Sequence, residues 1–184
     1  MYQPIKSFAV IATMLVLTAC QTTQGFDKER VVELSETDIV LPAGLLELEG
    51  FKIKEAKISE TGSYRRDSVS FTGGFFSFHR YFRGGIRERT PDTLRRTIAK
   101  YFTNFEIIGD VQNVNTQMGT AYYATVSSSD TTCVVMSGNF GIRERLRNAF
   151  GYPGLIRGEY CEPGHKPELS KIVLEWMHKV RLKS

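Results

Sequence analysis

Residues 64–82 read YRRDSVSFTGGFFSFHRYF, two strand-like runs on either side of Gly73-Gly74. In the first run the side chains alternate around Val69 and Phe71, the period of a half-buried strand. A Gly-Gly pair between two such runs predicts a β-hairpin, because primed turns need positive φ. Upstream, residues 51–59 (FKIKEAKIS) alternate apolar and charged side chains with one slip near Glu55. That pattern predicts another strand, with a bulge at the slip.

Downstream, Thr90, Pro91 and Asp92 predict a helix start: a hydroxyl cap, a ring preset for the first turn, and an acid at the positive end of the dipole. Leu94, Ile98, Tyr101 and Phe102 fall on one stripe of that helix, away from Arg95, Arg96 and Lys100. Residues 105–112, 120–126 and 132–138 are three further strand-like runs separated by polar turns, and residues 155–161 are a last one. Pro167 precedes a closing helix in which Leu169, Ile172, Val173, Trp176, Met177 and Val180 share a face. The pattern predicts an α+β fold, a largely antiparallel sheet of six to seven strands with two amphipathic helices packed on it. Gly-Ile-Arg-Glu-Arg occurs twice, at Gly85 and at Gly141. The flanking residues barely match, so the pentamer reads as a repeated local way of leaving a strand.

The chain has 184 residues, 41% of them hydrophobic and 24% charged, with 16 Gly and 6 Pro. Those values fit one globular domain and exclude collagen-like, low-complexity or wholly disordered chains. A formal net charge of +4 is too small to argue for a nucleic-acid binder.

The first twenty residues carry a different message. Lys6 is followed by the uninterrupted apolar run FAVIATMLVL at 8–17 and then by Thr18, Ala19 and Cys20. The run is about half of the roughly 20 residues that a membrane-spanning helix needs, so it reads as a cleavable export signal. Leu17-Thr18-Ala19-Cys20 resembles the lipobox of bacterial lipoproteins. The resemblance covers this segment alone, and the domain that follows shows no likeness to a family. It implies that residues 1–19 are a signal peptide removed before Cys20. It also implies that Cys20 is lipidated; with the polar stretch that follows, residues 20–50 read as a lipidated N-terminus and tether, and the length and strand-helix pattern predict that residues 51–184 form a single domain. Gln21, where an Asp would favour the inner membrane, points to the periplasmic face of the outer membrane. Two or more acyl chains hold a protein firmly on a bilayer.

With Cys20 assigned to lipid, Cys133 and Cys161 remain as an even pair in an oxidising compartment, which predicts a disulfide. The competing reading, a metal or thiol site built from Cys161, His165, Cys133 and His178, matches no established zinc spacing. No metal and no cofactor is expected.

Catalytic grammar is absent from the sequence. Gly-x-Ser-x-Gly, a Walker loop and a dinucleotide fingerprint do not occur. His79, His165 and His178 fall on a strand, a turn and a helix, so no Ser-His-acid set can be read. Charge placement does stand out: between Arg65 and Lys100 nine basic residues face three acids, a local +6, interleaved with Phe71, Phe75, Phe76, Phe78, Tyr81 and Phe82. Arginine suits phosphate and carboxylate, and Arg80, Arg83, Arg87, Arg89, Arg95 and Arg96 are the candidate anion-binding residues. The plainer reading packs the aromatics inward and spreads the arginines over several surfaces. The sequence therefore predicts a noncatalytic envelope lipoprotein that presents a basic, aromatic face to an anionic envelope component or protein partner, with no role for nucleic acid. A small periplasmic hydrolase whose site forms only in three dimensions, or a structural subunit of an envelope assembly, are the alternatives.

Overall fold

The computed structural model describes residues 28–47, 49–82, 85–116, 119–141, 144–146 and 149–183. The signal-like leader, Cys20 and Arg83 lie outside the described residues. In chain order the elements are β1 (Lys28–Val32), a 3-10 turn (Leu34–Glu36), β2 (Ile39–Val40), α1 (Ala43–Leu46), β3 (Ile53–Glu60), β4 (Tyr64–Phe71) and β5 (Gly74–Tyr81). Then come α2 (Pro91–Tyr101), β6 (Glu106–Thr116), β7 (Gly119–Ser127), β8 (Thr131–Phe140), β9 (Glu144–Leu146) and β10 (Ala149–Gly151). The chain ends in β11 (Gly154–Pro163), α3 (Leu169–Lys179) and β12 (Arg181–Leu182).

Eight strands form one sheet in the order β1-β3-β4-β5-β11-β8-β7-β6, and every neighbouring pair is antiparallel. The hairpin turns at Gly73, whose φ of 85° suits glycine. A Cβ on Gly74 would meet the Glu159 carbonyl of the next strand at 2.0 Å. The register slip near Glu55 is present, between Ile53 and Glu55. A second shift interrupts the outer strand β6 between Ile108 and Gln112, around Gly109 at φ 73°.

The fold is mainly antiparallel sheet with helices, broadly α+β, but the main sheet has eight strands rather than six or seven. Among the described residues there are also three helices, the extra one being the four-residue α1. The added strand is β1, KERVV. Three charged residues and two valines give it no alternation, and Val31 is 66% exposed. Its strand state comes from pairing with β3, Lys28 with Glu60 through Val32 with Ala56. That partner is distant in sequence and leaves no trace in local composition. Ile39, Leu41 and Leu45, from the stretch read as a tether, are buried in the main core.

The two faces of the sheet are covered unequally. On the first, α3 packs Leu169, Val173, Trp176 and Met177 against Val69, Phe71, Phe76, Phe78, Met136 and Ile156, with Ile39, Leu41 and Leu45 completing the cluster. Trp176 meets the Tyr160 ring edge-on at 5.0 Å. Ile172, expected on the shared face of α3, is 40% exposed. Asp67, only 1% exposed, is held on this face by Arg65 Nε at 2.7 Å and by the Asp38 backbone N–H at 2.5 Å.

On the second face, α2 covers only the half made by β6, β7 and β8. Leu94 and Ile98 pack there on Ala124, Val126, Cys133 and Val135. The helix starts as its sequence predicts: the Thr90 hydroxyl accepts the Thr93 N–H, with Pro91 in the first turn. Under α2, Cys133 and Cys161 sit opposite each other on β8 and β11 and form a disulfide. The strand between two covering helices, β8, is buried along nearly its whole length, whereas no described helix lies over the second face of β3, β4 and β5.

Candidate functional site

The uncovered half of the second face is built from small polar residues at alternate positions. In β4 the buried residues Asp67, Val69 and Phe71 face the α3 side, which turns Arg66, Ser68 and Ser70 the other way. Register places Lys57, Ser68, Ser77, Arg157 and Ser137 in one row across five strands. The row on one side holds Ser59, Arg66, His79 and Leu155, and the row on the other holds Glu55, Ser70, Phe75 and Glu159. Serines leave the floor low where larger side chains would fill it. The result is a hollow of about 460 Å³ lined by Lys57, Arg66, Ser68, Ser77, His79 and Arg157, with Glu55, Ser70 and Phe75 beside them. From β3 to β11 it spans three strand spacings, roughly 14 Å.

The segment before α2 is fastened to β8, near this floor. Its attachment is specific: Arg89 donates its backbone N–H to Asn139 Oδ1 at 2.9 Å and accepts from Asn139 Nδ2 at 3.2 Å, while Ile86 pairs with Tyr152. Asn139 is 4% exposed. The half-buried Arg89 side chain stands near Arg157 and His79, and its Nε is buried with no hydrogen-bond partner among the described residues.

Charge in the hollow is unevenly satisfied. Lys57 pairs with Glu55 at 2.9 Å and Glu29 at 3.3 Å, and Arg66 pairs with Glu29 at 2.7 Å. Among the described residues Arg157 and Arg89 have no carboxylate partner. His79 feels the excess: burial first, then Arg157, Arg66 and Arg89, pull its pKa down from 6.5 to about 4. Burial and the Arg157 charge also work against the Arg89 charge. Glu159, on the same face as Arg157 and one row on, has its pKa raised by burial.

The candidate arginines do not form one surface. Arg80 is on the α3 face, paired with Asp38 at 3.3 Å and lying 5.7 Å from the Phe78 ring centre. Arg83 is outside the described residues, and Arg87 is exposed on the segment before α2. Arg95 pairs with Asp92 at 3.1 Å and reaches Asp110 at 3.8 Å, while Arg96 is exposed on α2. Of the five that are described, Arg89 alone stands near His79 and Arg157 of the hollow. Of the aromatics, Phe71, Phe76 and Phe78 are core and Phe75 lies in the hollow. The two pentamers differ in structure: the first leads to α2, and the second leads into the small β9–β10 hairpin.

His165 borders a separate polar groove with Asn104, Glu106 and Ser127 to Ser129, and His178 is exposed on α3. Among the described residues no group of three His, Cys, Asp or Glu could hold a metal ion. No described helix is long and apolar enough to cross a membrane.

Arg157, Lys57, Ser68 and Ser77 were not singled out from the sequence. The available signal was Arg157 as a lone charge inside the apolar run LIRG. Its neighbours across the sheet come from strand order, which that run does not encode. In comparisons with known proteins, no family model, no curated sequence and no solved structure matches the chain, so the reading of this hollow rests on its own geometry.

Proposed function

We propose that the chain is a lipoprotein of the bacterial cell envelope, anchored through Cys20 on the periplasmic face of the outer membrane, that binds an anionic envelope ligand in the serine-floored hollow without transforming it. The observation that carries this reading is Arg157, a guanidinium lining the cavity, with Arg89 close enough to feel its charge, and neither has a carboxylate partner among the described residues. A folded protein does not hold unneutralised charges together at no cost, and an arriving carboxylate or phosphate relieves that repulsion with charge-assisted hydrogen bonds. His79 makes no hydrogen bond to a carboxylate or a serine among the described residues, so the hollow offers donors for an anion rather than an activated nucleophile.

Inorganic phosphate titrated into the purified protein at low ionic strength tests the hollow. Calorimetry should detect binding, and Arg157→Gln should weaken it roughly 10- to 100-fold, the value of one charge-assisted hydrogen bond at about 1.5–3 kcal/mol. Equal affinity in the variant would refute the site. The address is tested separately by intact mass: the envelope protein should begin at Cys20 and carry acyl chains.

A further inference from the structure

The hollow offers more than charge, and what surrounds its arginines bears on the body of the ligand; this step rests on the proposal that the hollow binds an anion. Ser77 is only 6% exposed, lines the hollow, and its hydroxyl has no hydrogen-bond partner among the described residues. Ser68 stands directly opposite it on β4, also unbonded, and Ser70 bonds only to the Glu55 carbonyl at 3.3 Å. Ser59 Oγ, beside Arg66 on the same face, is buried with no partner among the described residues. The Ser68 and Ser77 hydroxyls make no hydrogen bond among the described residues and are open to the hollow, so they are free to bond a ligand with donors and acceptors of its own. Phe75 adds an apolar surface: it lies in the hollow and, unlike Phe71, Phe76 and Phe78, stacks on no other ring among the described residues. The Glu55 carboxylate lies along the same wall as a further acceptor. The volume, about 460 Å³, falls within the roughly 300–1,000 Å³ of small-ligand sites.

We propose that the ligand of this hollow is an acidic sugar. Its anionic group sits on Arg157 and Arg89, its ring hydroxyls bond to Ser68, Ser77 and Glu55, and its apolar ring face packs on Phe75. A simple anion uses only the arginine half of such a site, and a neutral sugar uses only the serine half.

Binding of acetate, glucose and glucuronate to the whole protein separates the halves. Glucuronate should bind at least about tenfold more tightly than acetate, the worth of two or so neutral hydrogen bonds, and glucose should bind weakest. The double variant Ser68→Ala/Ser77→Ala should bring glucuronate down to the acetate level and leave acetate unchanged. Should that variant not fold, NMR of the wild type gives the same answer: glucuronate should shift Phe75 ring and His79 signals, and acetate the His79 signals alone. Glucuronate and acetate binding equally, with Phe75 unmoved by either, would overturn the acidic sugar while leaving an anion site standing. Absence of all anion binding would overturn both readings. Polygalacturonate as a further probe identifies the source: tighter binding per sugar unit than for galacturonate indicates a glycan chain, and equal binding indicates a free sugar acid.

Discussion

His79 reports on the hollow through its proton. In the folded chain the imidazole stays neutral down to about pH 4, because burial and the nearby Arg157, Arg66 and Arg89 all oppose its charge. In the unfolded chain it protonates near 6.5. As pH falls, the unfolded state takes up the proton first. The stability carried by the neutral imidazole is therefore whole above pH 6.5, declines below it, and is gone under pH 4. The interval from 6.5 to about 4 corresponds to about 3.4 kcal/mol at 1.36 kcal/mol per pH unit. The hollow is open to water, which screens the arginines, so about 2 kcal/mol is expected.

The assay is urea unfolding followed by fluorescence of Trp176, the single tryptophan, at several pH values for the wild type and His79→Gln. Acid effects common to both cancel in the difference. The wild type's advantage should be flat above pH 6.5 and shrink by about 2 kcal/mol on reaching pH 4. NMR titration of the ring should give a native midpoint well below 6, rising when phosphate is added because an anion offsets the arginines. A native midpoint at the ordinary value, with a pH-independent difference between the two proteins, would refute the electrostatic account of the hollow.

Three further outcomes follow from the packing. Asp67→Ala removes a buried carboxylate that holds Arg65 and the Asp38 N–H. It should cost roughly 2–3 kcal/mol, somewhat below the usual figure for a broken buried pair, because Asp38 at 3.7 Å partly recaptures Arg65. Arg66→Ala, which breaks only the exposed pair with Glu29, should cost under about 1 kcal/mol by the same urea assay. Replacing Cys133 and Cys161 together by Ala opens a loop with a sequence separation of 28 residues. Chemical denaturation should show a loss of about 3–4 kcal/mol, and wild type treated with reductant should approach the variant.

What the sequence discloses and what it hides follow from how far each signal reaches. The Gly73-Gly74 hairpin, the Thr90 cap, the slip at Glu55 and the buried Trp176 stripe are written in contiguous residues, and each appears in the structure where its pattern lies. The strand state of KERVV depends on a partner beyond the next turn, and it could not be read locally. The hollow depends on three distant facts at once: β11 lies beside β5, α2 stops short of β5, and Arg157 faces the same way as Ser77. Counting arginines along the chain gathered Arg80 with Arg89. Successive strand residues face opposite ways, and the helix and loop arginines follow their own elements, so a run of charge becomes several unrelated surfaces.

The position of β11 bears on when this protein is able to fold. It is the last of the eight sheet strands in chain order, yet it sits in the middle and joins β1-β3-β4-β5 to β8-β7-β6. Gly74 has no central partner until Tyr160 arrives, nor Cys133 until Cys161. Either half alone is a meander with one raw side, and such long-range closure is slow. If the chain is threaded through a membrane before it matures, as proposed above, this arrangement would act as a built-in delay: the core would stay unfinished, and the polypeptide pliable enough to pass, until β11 has followed the other seven strands.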